Sequence, residues 1–269
     1  MRIYNNVNSV SIQNDLNNTN MSMQTSLQRL STGLRINSAA DDAAGLSVSE
    51  GLRSQIRGST QAQQNANDGL ALLQIAEGGT SQITDNLQRM RELAVQAANG
   101  TYSNTDRGYI QQEYTALASE ITRIAEATTY NNTALLSNTS TFSFQISAAS
   151  AGASSTITFT AVNLSSGLSF GAVSVQSAAQ SAISKIDAAL TSVLSLRSTL
   201  GSTMNRLDST VTNLGNMVTN LTSAESQIRD TNFATETTNF TKNQILTQSA
   251  TSMLAQANQL PSGVLKLLG

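Results

Sequence analysis

In the second half of the chain, apolar residues recur at alternating steps of four and three. The series runs Ile186, Leu190, Val193, Arg197, Leu200, Met204, Leu207, Val211, Leu214, Val218, Leu221, Glu225 and Ile228. Eleven of these thirteen positions are apolar, where an apolar fraction of 39% would place about five, so the spacing predicts one long helix with a coiled-coil seam. A helix from about 178 to 230 would be about 80 Å long, longer than the core of a compact domain, and this predicts an elongated rod. Three shorter seams lie in the first half: Leu52, Ile56, Ala66, Leu70 and Leu73; Ile83, Leu87, Met90, Ala94 and Ala97; and Ile110, Tyr114, Leu117, Ile121 and Ile124. Asn99-Gly100 ends the second run with a residue that tolerates positive φ, and Asn104, Thr105 or Asp106 can cap the third. The expected fold is mainly α: an elongated antiparallel helical bundle or coiled-coil rod.

Both ends carry the same spacing. Leu246, Ala250, Met253, Ala257, Leu260, Val264 and Leu267 hold it at seven of seven positions, and Leu16, Met23, Leu27, Leu30 and Leu34 at five of six, with Asn20 the exception. This predicts a terminal amphipathic helix at each end, the two forming a paired domain. Pro261 should kink the last helix or cost it a hydrogen bond. Glycines at 51, 58, 69, 78, 79, 201 and 215 fall inside the expected long helices, each costing about 1 kcal/mol relative to alanine, so packing must hold these helices; small residues would let backbones approach closely.

Residues 127 to 184 contain no charged side chain. Within this stretch Phe142, Phe144 and Ile146 alternate with polar residues, and so do Ile157, Phe159 and Ala161 after the turn-like segment 148 to 155. That alternation favours a β-hairpin over a low-complexity linker. Residues 163 to 177 show a weaker extended pattern and read as loop. The expected domains are a discontinuous terminal-helix core, 1–44 with 235–269; a helical rod, 45–137 with 178–234; and a hairpin and connector, 138–177.

Composition narrows the chemistry. Among 269 residues there is no Cys and no His, which removes thiolate and imidazole metal sites, disulfides and Ser/His or Cys/His catalytic couples. Only 12% of residues are charged and the net charge is -2, with no basic stripe for nucleic acid and no polybasic tail. Ser, Thr, Asn and Gln together number 115, so water is met mainly by hydroxyls and amides. No stretch approaches 18 apolar residues and the first residues lack an apolar core, so neither a spanning helix nor a signal peptide is expected. The Asp41-Asp42 pair before Ala43 reads as a helix cap rather than a metal site or an acid/base pair, and no cofactor is expected.

A helix that exposes an apolar stripe must cover it, and two terminal helices cover only part of their surface by pairing with each other. The remainder calls for other copies of the chain, or else the molecule is a soluble intramolecular coiled-coil adaptor with frayed tails. Spacing alone leaves both open.

The segment Leu30 to Gly58, LSTGLRINSAADDAAGLSVSEGLRSQIRG, together with NLQRMRELAVQAANGT at Asn86 to Thr101, resembles the N-terminal signature of bacterial flagellin. Ser226 to Gly269, SQIRDTNFATETTNFTKNQILTQSATSMLAQANQLPSGVLKLLG, resembles the matching C-terminal signature. The resemblance covers about residues 1 to 137 and 178 to 269. It implies paired terminal helices lining a filament core, a surrounding helical domain with a β-hairpin, and a minimal form lacking bulky outer domains. Ala40, Gln227 and Asn232 stand where Lys, Arg and Asp are common, which puts particular salt bridges in doubt.

The resemblance implies a structural subunit of the flagellar filament, not an enzyme, that self-assembles into a homopolymer for motility outside the cell. Implied partners are the flagellar export apparatus, an export chaperone, the filament cap, hook-junction proteins and the flagellin-sensing Toll-like receptor. Neither nucleic acid nor membrane insertion is expected. Gln88, Arg89, Leu93 and Glu113 match the positions through which flagellins are read by that receptor, and as residue types in the bacterium they suit a subunit contact. A hook–filament junction protein of the same superfamily is the nearest alternative; the complete Leu30 to Gly58 signature argues against it.

Overall fold

The computed structural model describes residues 6–148 and 155–268, with side chains omitted at 166 and 260–268. The elements in order are α1 (Val7–Thr32), α2 (Ala43–Ala98), α3 (Asn104–Ala127), β1 (Thr129–Tyr130), β2 (Thr133–Ala134), β3 (Thr141–Gln145), β4 (Thr156–Thr160), α4 (Leu164–Gly167), α5 (Gln176–Arg229) and α6 (Phe233–Leu268). The mainly helical expectation holds. The chain divides into two compact units, residues 1–54 with 220–269, and residues 55–219.

In the unit 55–219 the core is the expected seam. Ile186, Val193, Leu200, Leu207 and Leu214 of α5, each seven residues from the next, are buried. Opposite them lie Ala66, Leu73, Ile83, Leu87, Met90, Ala94 and Ala97 of α2, with Ile110, Tyr114 and Ile121 of α3. A strict seven-residue repeat keeps one stripe facing its partners along the helix, so the apolar positions pack continuously. The charged exception at Arg197 is matched across the seam: its Nε and Nη2 donate to Glu77 Oε1 at 3.0 and 2.6 Å.

The turn between α2 and α3 is more elaborate than the sequence suggested. Ser103, not Asn104, Thr105 or Asp106, caps α3. Its hydroxyl accepts from the Asp106 N–H, and the Asp106 carboxylate accepts from the Ser103 N–H at 3.0 Å, forming a capping box. That carboxyl is held below its ordinary 3.8 by the Ser103 hydroxyl first and the Ser103 N–H second. Arg107, 5% exposed, then reaches back from α3 to the end of α2, donating to the Ala97 and Asn99 carbonyls at 2.8 and 3.0 Å. These are carbonyls that the helix end leaves without an intrahelical donor.

The expected β-hairpin is present, and its antiparallel register sets Phe142 opposite Phe159 and Phe144 opposite Ile157. The Phe142 and Phe159 rings stack with centroids 6.5 Å apart. Residues 149–154 of the expected turn lie outside the described residues. A second, shorter hairpin that the spacing did not signal joins β1 to β2 through Asn131 and Asn132, with φ of 46° and 62°. Two successive left-handed residues make the tight turn favoured between antiparallel strands, and asparagine tolerates that conformation better than other non-glycine residues. The segment 163–177, expected as loop, includes the single-turn α4. The rest is clamped to α3 by the Tyr114 hydroxyl donating to Phe170 O at 2.6 Å and by the Val173 N–H donating to Gln111 Oε1. Burial pushes the Tyr114 phenol up to about 12.

Glycines decide how closely this β layer approaches α2. A Cβ at Gly69 would stand 2.9 Å from the Phe144 ring, and one at Gly79 would stand 2.7 Å from the Thr128 hydroxyl and 2.9 Å from Leu136. Close approach is therefore the reason for glycine at these positions, and what approaches is side chain rather than neighbouring backbone. At Gly51, Gly78 and Gly201 a Cβ would meet nothing within 4 Å, so close packing does not explain them. The adjacent pair Gly78 and Gly79 makes a direct test. Gly78→Ala should gain about 0.5–1 kcal/mol through helix propensity. Gly79→Ala should lose about 1–3 kcal/mol, because Leu136 is fully buried and the Thr128 hydroxyl is committed to Ile124 O. Urea unfolding of the two variants should show midpoints on opposite sides of the parent; a shift in the same direction would contradict the packing argument.

Candidate assembly surface

The unit formed by residues 1–54 and 220–269 is built on the antiparallel pair α1 and α6. Asn6 caps α1 by accepting from the Ser9 N–H and also donates from Nδ2 to Ala257 O at 2.9 Å, so one side chain both starts α1 and ties it to α6. At the other end α1 stops at Gly33, which takes φ 73° and donates its N–H to Arg29 O. The chain then pairs with the approach to α6: Leu34 bridges Asp230, the Arg35 N–H donates to Arg229 O at 2.6 Å, and the Thr231 N–H donates to Gly33 O at 2.9 Å. Arg35 Nη2 also donates to Ile228 O. Asn232 then caps α6, its Oδ1 accepting from the Ala234 and Thr235 N–H groups, so amide in place of the commoner carboxylate still performs the cap.

Charges at this crossing complement the helix ends. Arg29 lies in the last turn of α1 and Glu236 in the first turn of α6, each favourable to its own helix dipole, and their closest atoms are 3.8 Å apart. Asp42 caps α2 by accepting from the Gly45 N–H at 2.8 Å. Asp41 serves the preceding loop instead, accepting from the N–H groups of Ser38 and Asn37, which hold its carboxyl below the ordinary 3.8. Glu50 receives Arg229 at 2.7 Å and Arg53 at 2.8 Å, and these two guanidiniums lower its carboxyl below 4.5, Arg229 foremost. Among the described residues no cluster of metal-ligating side chains occurs.

The seam of α1 keeps the expected phase except at Leu27, whereas that of α6 is rotated. The less exposed positions of α6 are Glu236, Phe240, Asn243, Thr247, Ala250, Leu254 and Ala257, and those of α1 include Ser9, Ile12, Leu16, Thr19, Met23, Ser26 and Leu30. Of the expected α6 seam, Ala250 and Ala257 turn inward, but Leu246 and Met253 remain 44% and 56% exposed. The side chains of Leu260, Val264 and Leu267 lie outside the described residues. In α1, Leu27 is 56% exposed. The pair thus closes over a mixture of apolar side chains, Ile12, Leu16, Met23, Leu30, Phe240 and Leu254 among them, and small or polar ones, while other large apolar side chains remain outward. Val7, Val10 and Met21 of α1 and Phe233 and Ile245 of α6 are also exposed, and spacing counted from Leu246 had passed over Phe233 and Ile245. An open groove of ≈ 690 Å³ runs beside Phe233, Thr237, Thr241 and Ile245. The helix continues through Pro261 to Leu268, where the ring nitrogen supplies no donor to the preceding turn.

The other candidate residues lie on α2 and α3. Arg89 donates from Nε and Nη2 to Glu113 Oε1 at 3.0 and 2.8 Å, and from Nη1 to Glu92 Oε2 at 2.9 Å. Glu113 first and Glu92 second hold the guanidinium proton more firmly. Gln88, Arg89 and Glu113 are exposed, whereas Leu93 is 2% exposed and belongs to the core. The structure brings Arg89 and Glu113 into direct contact and places Leu93 beneath that surface.

Acid should loosen the α1–α6 crossing. Asp41 and Glu50 have lowered folded values, so their stabilising contributions are complete above the ordinary 3.8 and 4.5 and are lost as pH falls through the lower folded values. Hydrogen exchange at the Arg35 and Thr231 amides, corrected for intrinsic rates, should accelerate below about pH 4. Unchanged protection down to full protonation of these carboxyls would contradict this.

Two sequence-family matches cover most of the chain. The bacterial flagellin N-terminal helical region matches residues 3–141, and the bacterial flagellin C-terminal helical region matches residues 183–268. The flagellar filament 33 kDa core protein of Treponema phagedenis is 42% identical over the full length of both chains. A flagellin of Halalkalibacterium halodurans is 43% identical over 91% of each. The crystal structure of Bacillus cereus flagellin superposes with a TM-score of 0.51 and 33% identity, covering 56% of this chain and 88% of that one. The chain belongs to the bacterial flagellin family, whose members are structural proteins of the flagellar filament and not enzymes.

Proposed function

We propose that this chain is the repeating subunit of an extracellular flagellar filament, a homopolymer for motility, and that copies join through the outward faces of α1 and α6. The observation that carries this reading is the exposure of eight large apolar side chains on that helix pair: Val7, Val10, Met21, Leu27, Phe233, Ile245, Leu246 and Met253, each between 44% and 63% exposed. Covering such a side chain contributes about 1 kcal/mol or more, and this many on one helix pair favour an interaction surface. Few charges interrupt it: Asp15 and Arg29 on α1, and Glu236, Lys242 and Lys266 on α6. Copies therefore pack without burying many ions.

In this reading residues 1–44 and 235–269 form the filament core, 45–137 and 178–234 the surrounding helical domain, and 138–177 a rudimentary variable region. Subunits reach the distal end through the flagellar export apparatus, assisted by an export chaperone, the filament cap and hook-junction proteins. The absence of cysteine and the presence of a single proline suit a chain threaded unfolded. Gln88, Arg89 and Glu113 form a subunit-contact face, supported from below by Leu93, and the same face in a free monomer is the one presented to the flagellin-sensing Toll-like receptor.

The test is polymerisation of purified protein followed by sedimentation and negative-stain microscopy. The parent should form fibres. Phe233→Asp, Ile245→Asp and Met253→Asp, introduced together at exposed positions, should leave helicity unchanged and abolish fibres. Fibres from the triple variant at the parent's yield would overturn the assignment of this surface.

A further inference from the structure

Asparagine is frequent here, with 25 residues, but only Asn99 is followed by glycine. That pairing matters chemically because the nitrogen after an asparagine can attack its side-chain carbonyl, and glycine alone places no Cβ in the way. The fold adds three conditions at this position. Asn99 follows the last residue of α2, so the Gly100 amide is outside the helical ladder, and among the described residues its N–H meets no acceptor. The side chain is exposed. Its Oδ1 accepts from the Thr101 N–H at 3.3 Å, which folds the carboxamide back along the Gly100 peptide and polarises its carbonyl carbon.

Other asparagines in loops lack this combination. After Asn37, the Ser38 N–H is bound to Asp41 Oδ2 at 2.9 Å. After Asn138, the attacking nitrogen would belong to Thr139, whose branched Cβ crowds the approach. Most of the remainder lie inside helices, where the next N–H is engaged one turn back.

We propose that Asn99 is a site of spontaneous deamidation. The Gly100 nitrogen gives its proton to solvent base and bonds to Asn99 Cγ; the Cγ–Nδ2 bond breaks and Nδ2 leaves as ammonia, closing a five-membered succinimide. Water then adds to one of the two ring carbonyls and opens the ring, giving aspartate or isoaspartate at position 99. No enzyme, metal or oxidant takes part.

The change falls where the turn is most sensitive. The buried Arg107 guanidinium has neutral hydrogen-bond partners, Ala97 O, Asn99 O and Asn104 Oδ1. Either product brings a new carboxylate beside that cation. The isoaspartyl product also inserts a methylene into the main chain before the position-99 carbonyl, displacing the oxygen that Arg107 holds and loosening the junction between α2 and α3. The modification therefore marks the age of a subunit at one turn.

The experiment is incubation of the full-length protein at mildly alkaline pH, followed by tryptic digestion and mass spectrometry of the peptide from Glu92 to Arg107, with fragment ions separating Asn99 from Asn104. The parent should lose the Asn99 amide faster than any other asparagine, and an isoaspartyl-specific methyltransferase should label the product. Gly100→Ala should retain the amide and the parent's helicity, because Gly100 does not hold a positive φ and a Cβ there has only Gln176 Nε2, at 3.8 Å, within 4 Å. Slower conversion at Asn99 than at other asparagines in the parent would overturn the proposal, as would conversion of a folded Gly100→Ala variant at the parent's rate.

Discussion

The structure depends on α1 and α6 carrying more apolar surface than they cover against each other. Their less exposed positions mix apolar side chains, Ile12, Leu16, Met23 and Leu30 on one helix and Phe240 and Leu254 on the other, with small or polar ones such as Ser9, Thr19, Ser26, Asn243 and Thr247, while Val7, Val10, Met21, Leu27, Phe233, Ile245, Leu246 and Met253 stand in solvent. A helix pair that satisfied itself would leave no such set uncovered. The register of the intramolecular contact is fixed by directional bonds: the Leu34 to Asp230 bridge, the two main-chain hydrogen bonds beside it, and caps at Asn6 and Asn232. Hydrogen bonds set the geometry of the pair, leaving the apolar surface available for association, the larger source of free energy.

In the unit 55–219 the α5 residues Ile186, Val193, Leu200 and Leu207 are fully buried, with Leu190, Met204 and Val211 partly so, and the charged seam position, Arg197, is answered by Glu77 on the facing helix. The β layer rests on α2 at Gly69 and Gly79, where any side chain would collide with Phe144 or with Thr128 and Leu136. One molecule thus contains a unit with a continuous buried core and a helix pair that leaves much of its apolar surface uncovered, a combination suited to a subunit that folds individually and is stabilised further by polymerising.

How far the sequence foretold this varied with the physical signal. The α5 seam was legible because its seven-residue repeat is apolar almost throughout, and the β3–β4 hairpin because Phe142, Phe144, Ile157 and Phe159 alternate cleanly. The phase of α6 was not, because Ala250 and Ala257 belong to two overlapping series, and the inward one contains Glu236, Asn243 and Thr247, which hydrophobic spacing discounts. The cap at Ser103 carried a signal in Ser-Asn-Thr-Asp, and the β1–β2 turn carried one in Asn131-Asn132; both were outweighed by stronger neighbouring patterns. Leu93 shared a helix with Gln88 and Arg89 in every sequence argument, and only the fold shows that its side chain points into the core.

The claim that α1 and α6 gain their remaining burial from other copies is tested most directly by hydrogen exchange on the same protein as dilute monomer and as polymer. Polymerisation should greatly slow exchange across residues 7–32 and 233–259 while changing little in the buried stretch 186–214 of α5. Equal protection of the terminal helices in both states would contradict the account.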